Sequence, residues 1–364
     1  MIETDVLEAV LGEGTRLGGD FVEVFIEDRR SQQIALEDSK IEGVTSARAK
    51  GAGIRVIAGE TTGFAHTADT SLNGLMAAVT AAAAATGREG SNARVSLGAV
   101  QRNADDSGAG SVLDTEAKVA MLLAADEAAR TLRVDGQRTE ERIAQVSISL
   151  AESRRQIQIA NSDGLNVADV SHRTRLAAQC VASGDAGLQT GMEAPGRSIG
   201  GEYLDQFPPV ESARIAATRA LTMLRAQPAP SGQLPVVLAR GAGGVLFHEA
   251  CGHGLEADII ERGASVFKGR VGQRVASPGV TLVDDATAIE EWGTFRIDDE
   301  GTPAQPNVLI EDGILTDYLW DFTRARRANR VRSGNGRRQT YEHLPLVRMT
   351  NTYVLNGTET PEAI

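Results

Sequence analysis

The sequence predicts an α+β (mixed α/β) protein, with an N-terminal α/β domain holding a mainly antiparallel sheet and a β-rich C-terminal domain. Three observations carry this reading. Stretches with helical apolar spacing are interspersed with extended runs. Glycine-containing turn signals separate several neighbouring extended runs. Finally, 364 residues exceed the usual size of one core, and Gln227-Pro228-Ala229-Pro230-Ser231-Gly232 puts two prolines and a glycine in six residues. The domains are therefore placed at 1–226 and 233–364, with 227–232 as linker.

The elements follow in order. A first helix runs through about Leu17, with Ile2, Val6, Leu7, Val10 and Leu11 at apolar positions. Phe21 to Glu27 is a strand of mixed alternation, and Gln33 to Glu37 alternates more cleanly. Gly51 to Ile57 and Thr62 to His66 flank the turn Ala58-Gly59-Glu60. Ser71 to Thr86 is an alanine-rich helix, with Ser71 and Asn73 as candidate caps. Gly87 to Gly110 reads as a loop, and Asp114 to Val134 as a long helix ended by Asp135-Gly136. Strands resume over Ala144 to Ala151 and Arg155 to Ala160. Ser162-Asp163-Gly164 then turns into an extended run through Cys180. Val210 to Arg225 is a further helix. Leu234 to Leu238 reads as a buried strand, Gly241 to Gly244 as a turn, and Val245-Leu246-Phe247 as the opening of a helix. Val308 to Glu311 and Ile314 to Tyr318 form a hairpin on Asp312-Gly313, the residues a type I′ turn prefers.

Composition excludes several classes. A net charge of −12 and an aromatic content of 4% argue against a nucleic-acid surface. Two cysteines give no disulfide framework, which fits a reducing compartment. The acidic N-terminus lacks a secretory pattern, and the apolar stretch Leu75 to Ala85 is too short to span a bilayer. The expectation is a soluble cytoplasmic protein that contacts neither nucleic acid nor membrane.

His248-Glu249-Ala250-Cys251-Gly252-His253 carries the most chemistry, with two imidazoles and a carboxylate in six residues. Imidazoles ligate zinc and its neighbours, and an adjacent carboxylate can act as general base. The familiar spacing is H-E-x-x-H, whereas here it is H-E-x-x-x-H. Residues five apart on an ideal helix diverge by roughly 140°. Both histidines reach one metal only if the helix distorts, and Gly252 and Gly254 tolerate such a distortion. The competing reading is a structural histidine pair. Glu256 and Asp258 follow directly, and a carboxylate there could accept the second N–H of a ligand imidazole.

The stretch His248 to Asp258 resembles the metal-binding signature of the TldD/PmbA metallopeptidases, approximately H-E-A-x-G-H-x-L-E-x-D. Further stretches are similar to that family: Leu36 to Glu42 followed by Gly51 to Ile57, Ile297 to Pro303, Val308 to Leu315, and Arg348 to Tyr353. They occur in the family's order from about residue 20 onwards. The TldD type carries the signature and the PmbA type lacks it, so this chain resembles the TldD type. The resemblance implies a zinc cofactor, His248 and His253 as ligands, Glu249 as general base, and hydrolysis of small or unfolded polypeptides. It also implies assembly with a PmbA-like subunit, or as a homo-oligomer. It places a third ligand, a cysteine, in a glycine-rich segment beyond Ile364. The chain is then expected to be a C-terminally truncated member whose 233–364 domain is incomplete, and to bind zinc weakly and hydrolyse peptides poorly. A non-catalytic peptide-binding or assembly subunit is the alternative reading.

Other candidates rank lower. Cys251 and Cys180 read as buried thiols. His343 is an alternative ligand or a substrate contact, and His66 and His172 read as structural. Asp284-Asp285, Glu290-Glu291 and Asp298-Asp299-Glu300 could bind a hard metal, but solvated faces and turns are favoured because no calcium-loop spacing is present. The basic run from Arg324 to Arg338 could meet a peptide carboxylate or a partner. A solvated face paired with the acidic clusters is favoured there too.

Overall fold

The structure, a computed structural model, describes residues 1–87, 95–102, 114–239, 241, 243–360 and 362–364. In the N-terminal part the elements are α1 (Thr4–Arg16), β1 (Phe21–Glu37), β2 (Lys40–Ala58), β3 (Thr61–Thr67), α2 (Leu72–Ala84), β4 (Gln101–Arg102), α3 (Thr115–Thr131), β5 (Arg142–Asn161), β6 (Asn166–Gly184), β7 (Gly187–Glu193), β8 (Gly196–Arg197), α4 (Tyr203–Gln206) and α5 (Pro209–Met223). Then come α6 (Gly244–Phe247), α7 (Ala257–Glu261), β9 (Leu282–Asp285), β10 (Pro306–Glu311), β11 (Ile314–Leu315), α8 (Phe322–Ala328), β12 (Gly336–Arg337), β13 (Leu346–Val347) and β14 (Thr352–Val354). Most of the expected 87–110 loop lies outside the described residues.

The large sheet runs β3-β2-β1-β5-β6-β4, with β7 and β8 also paired to β6. Every pairing in it is antiparallel except β4 with β6. Side chains alternate across a strand, so β1 serves two cores at once. Val22, Val24 and Ile26 pack with Leu7, Leu11, Leu75 and Val79 of α1 and α2. Further along the same face, Ile34 and Leu36 join Leu122 of α3 and Ala216 and Leu221 of α5. Phe25 points the other way, onto Ile297 and Tyr341 of the C-terminal part. This double burial is why Phe21 to Glu27 reads as mixed alternation. The two extended segments expected on either side of Asp28 are one continuous strand, and so are those on either side of Glu152.

The helix termini follow elementary capping. Ser71 accepts the Gly74 N–H, and Asp114 accepts the Ala117 N–H. Asp312 and Gly313 take positive φ values of 46° and 81°, as a type I′ turn requires between β10 and β11.

Two expectations are overturned. Leu234 to Leu238 forms no strand and is exposed, with Val236 at 74%. A short apolar run does not itself specify what covers it. The acidic clusters are also not generally solvated: Asp284, Asp298, Asp299 and Glu300 are buried. Asp284 accepts from Asn335, Thr350 and Thr352. Asp298 accepts the backbone N–H groups of Glu300, Thr302 and Gly336. Glu300 and Asp299 bind arginines of the large sheet, Arg55 at 2.8 Å and Arg155 at 2.6 Å. Arg55 also pairs with Glu23 at 2.8 Å, Arg338 pairs with Glu23, and Arg155 pairs with Glu27 at 2.6 Å. Burial works against the Arg55 charge, but Glu23 and Glu300 outweigh it and hold its pKa above the ordinary value. Of the basic run, Arg324 and Arg330 pair with Glu261 and Asp317 rather than with the acidic clusters, whereas Arg337 pairs with Asp299 and Arg338 is buried in this network.

Candidate metal centre

The short helix α6 does not simply continue. His248–Gly252 forms a π turn, followed by a 3-10 turn over His253–Leu255. The His253 N–H donates to the His248 carbonyl, an i→i+5 bond that widens the turn. Residues five apart are thereby brought back toward one face. The two imidazole rings lie 4.9 Å apart, centroid to centroid, at 88° to each other. Gly252 permits the close packing beneath: a Cβ there would sit 1.9 Å from Met349 Sδ.

His248, Glu249 and His253 each offer a ligand atom, all within 4.8 Å of one another. Glu249 Oε2 lies 4.0 Å from His253 Nε2. The other nitrogen, Nδ1, lies 3.3 Å from Glu256 Oε2. Glu256 is buried, accepts from the Met349 N–H, and pairs with Arg348 at 3.3 Å. Burial raises its pKa, and Arg348 opposes that shift. A carboxylate on Nδ1 directs Nε2 outward as the available lone pair. Two imidazoles and a carboxylate, one imidazole oriented by a buried acid, make a donor set that fits a borderline divalent ion such as zinc.

The remaining candidates fall elsewhere. Asp258 is buried 3.8 Å from Arg348 and does not reach either histidine within ion-pair distance. Its Oδ1 has no hydrogen-bond partner among the described residues. His343 binds Thr340 Oγ1 through Nδ1 and receives Arg338 at its carbonyl. It does not belong to the His248 group, the one cluster of its kind found among the described residues. Cys251 packs against the C-terminal core, and burial raises its thiol pKa. Cys180 lies in the N-terminal core, where burial pushes its pKa up to about 12. Sequence reasoning missed Arg348 and Met349 as supports of the site. Their signal was present in the Arg348-to-Tyr353 stretch, but only as a resemblance.

Comparison with known proteins places this geometry. Residues 22–86, 109–224 and 231–364 match, in turn, domain 1, the central domain and the C-terminal domain of the PmbA/TldA metallopeptidases. The metalloprotease TldD homologue of Haemophilus influenzae is 35% identical over 347 residues, covering 93% of this chain and 70% of that protein. The chain belongs to the TldD/PmbA metallopeptidase family. A metalloprotease of Methanothermobacter thermautotrophicus is 32% identical over 364 residues, covering 98% of this chain and 76% of its own. TldE from Thermococcus kodakarensis shares the TldD/PmbA fold, with a TM-score of 0.76 at 20% identity over 98% of this chain and 79% of its own. The π turn lies inside the C-terminal TldD/PmbA domain.

Proposed function

We propose that this protein is a zinc-dependent peptidase of the TldD type that hydrolyses small or unfolded polypeptides. The observation that carries the reading is the convergence of His248, Glu249 and His253 on one point of the π turn. In this reading His248 and His253 hold the ion. Zinc there would supply Lewis acidity toward a peptide carbonyl and lower the pKa of water to roughly 7. Glu249, 66% exposed, is free to take a proton from an attacking water and return it to the leaving amine. Glu256 holds the His253 ring in the tautomer that leaves Nε2 as acceptor. Arg348 and Met349 keep Glu256 in place.

A PmbA-like subunit is the proposed partner. Leu234, Val236, Val237, Leu238, Val245 and Leu246 form an exposed apolar run leading into the metal centre, and such surface suits an interface. The two free cysteines fit a cytoplasmic setting, and no described helix is long and apolar enough to cross a membrane. The test is hydrolysis of an unfolded polypeptide by the zinc-loaded protein with a PmbA-like subunit present. Cleavage that a chelator removes and zinc restores is the expected result. Zinc binding without cleavage would favour the assembly role instead.

A further inference from the structure

The face of the large sheet that meets the C-terminal part carries a cavity whose lining includes none of His248, Glu249 and His253. Two transverse rows cross β1, β5 and β6. Arg29 lies opposite Arg155, which lies opposite Ser171; Ser31 lies opposite Ser153, which lies opposite Arg173. Like charges placed directly across a strand pair repel. The serines leave room above the sheet, and Trp292, Phe295 and Arg337 close it from the C-terminal side. The result is a cavity of about 410 Å³.

The charges around this cavity do not balance. Arg29, Arg155, Arg173 and Arg337 all line it. Their carboxylate partners are Glu27, shared by Arg29 and Arg155, and Asp299, shared by Arg155 and Arg337. Four guanidiniums against two carboxylates leave two positive charges over. The other acid on the wall, Asp169, pairs with Arg296, and the other base, Arg338, pairs with Glu23. The Arg173 side chain makes no ion pair or hydrogen bond among the described residues, and its guanidinium lies 5.2 Å over the Trp292 ring. Burial, then Arg337 and Arg155, push its pKa down to about 10. Arg155 keeps Nη2 buried without a hydrogen-bond partner among the described residues. A buried charged donor left unmatched is costly, and a protein with a net charge of −12 has acids to spare.

We infer that this cavity binds a ligand through one oxyanion group, a carboxylate or a phosphate, held by Arg173 and Arg155 with the hydroxyls of Ser153 and Ser171 beside them. Guanidinium forks match both groups in geometry and charge. The cavity admits a group of the size of a peptide terminus or a free phosphate.

The experiment measures the melting temperature with inorganic phosphate, with trialanine, and with trialanine amide. A dose-dependent rise with phosphate assigns a phosphate site. A rise with trialanine but not with its amide assigns a carboxylate site. Arg173→Gln is expected to weaken the effective ligand by about tenfold or more. Ser153→Asp places a carboxylate opposite Arg173, so it is expected to stay folded, melt no lower than the parent without ligand, and lose the response. No rise with either anion overturns the inference, and so does a response that survives Arg173→Gln. A ligand-free melting temperature lowered by Ser153→Asp also overturns it, because the cavity would then not be short of negative charge.

Discussion

Glu249→Gln is expected to lower peptide hydrolysis by at least about a hundredfold, the usual contribution of a general base, while zinc content stays unchanged. The amide keeps the shape of the side chain but cannot take a proton. Glu249 is well exposed and stands 4.0 Å from His253 Nε2, so its replacement disturbs no packing. The same position puts its carboxylate within reach of the ion. Metal content therefore separates the two roles open to it. If the variant loses zinc together with activity, Glu249 is a ligand rather than the base. If hydrolysis persists at the parent rate, Glu249 has no part in the reaction.

Arg55→Met is expected to destabilise the fold by about 3–5 kcal/mol, the cost of breaking a buried ion pair from one side. Arg55 is 2% exposed and sits between Glu23 on β1 and Glu300 in the C-terminal part. Its guanidinium also lies over the rings of Phe21 and Phe322, 5.7 and 5.4 Å away. Removing it leaves the buried Glu300 carboxylate without an ion partner and Glu23 with Arg338 alone. Adding Glu300→Gln should recover part of the loss, because an amide is cheaper to bury unpaired than a carboxylate. Urea denaturation measures both effects. A change below about 1 kcal/mol in the single variant, the scale of a surface pair, would show that the network does not hold the halves together.

The sequence was most informative where the physics is local. Helix caps at Ser71 and Asp114, the turn at Asp312-Gly313 and the periodicity of α1, α2, α3 and α5 all depend on neighbours within a few residues. The glycines around His253 likewise announced a distorted turn, although not that it would be a π turn. Long-range charge pairing left only faint marks. Asp298-Asp299-Glu300 looks like a solvated turn until Arg55 and Arg155 are brought against it from far along the chain. A signal did exist on the other side: Glu23, Glu27 and Arg55 interrupt apolar strands at positions where an unpaired charge could not remain. Leu234 to Leu238 fails in the opposite sense, because hydrophobicity records a tendency to be covered and not what does the covering.

Zinc stoichiometry tests the central claim most directly. The protein is expected to take up one zinc ion per chain, and His248→Ala and His253→Ala are each expected to abolish that uptake while the melting temperature in chelator stays near the parent's. With two imidazoles as the principal ligands, binding should be weaker than at a three-ligand site. Zinc that still binds after either histidine is removed, or a parent chain that takes up none, would contradict the assignment of the π turn as the metal centre.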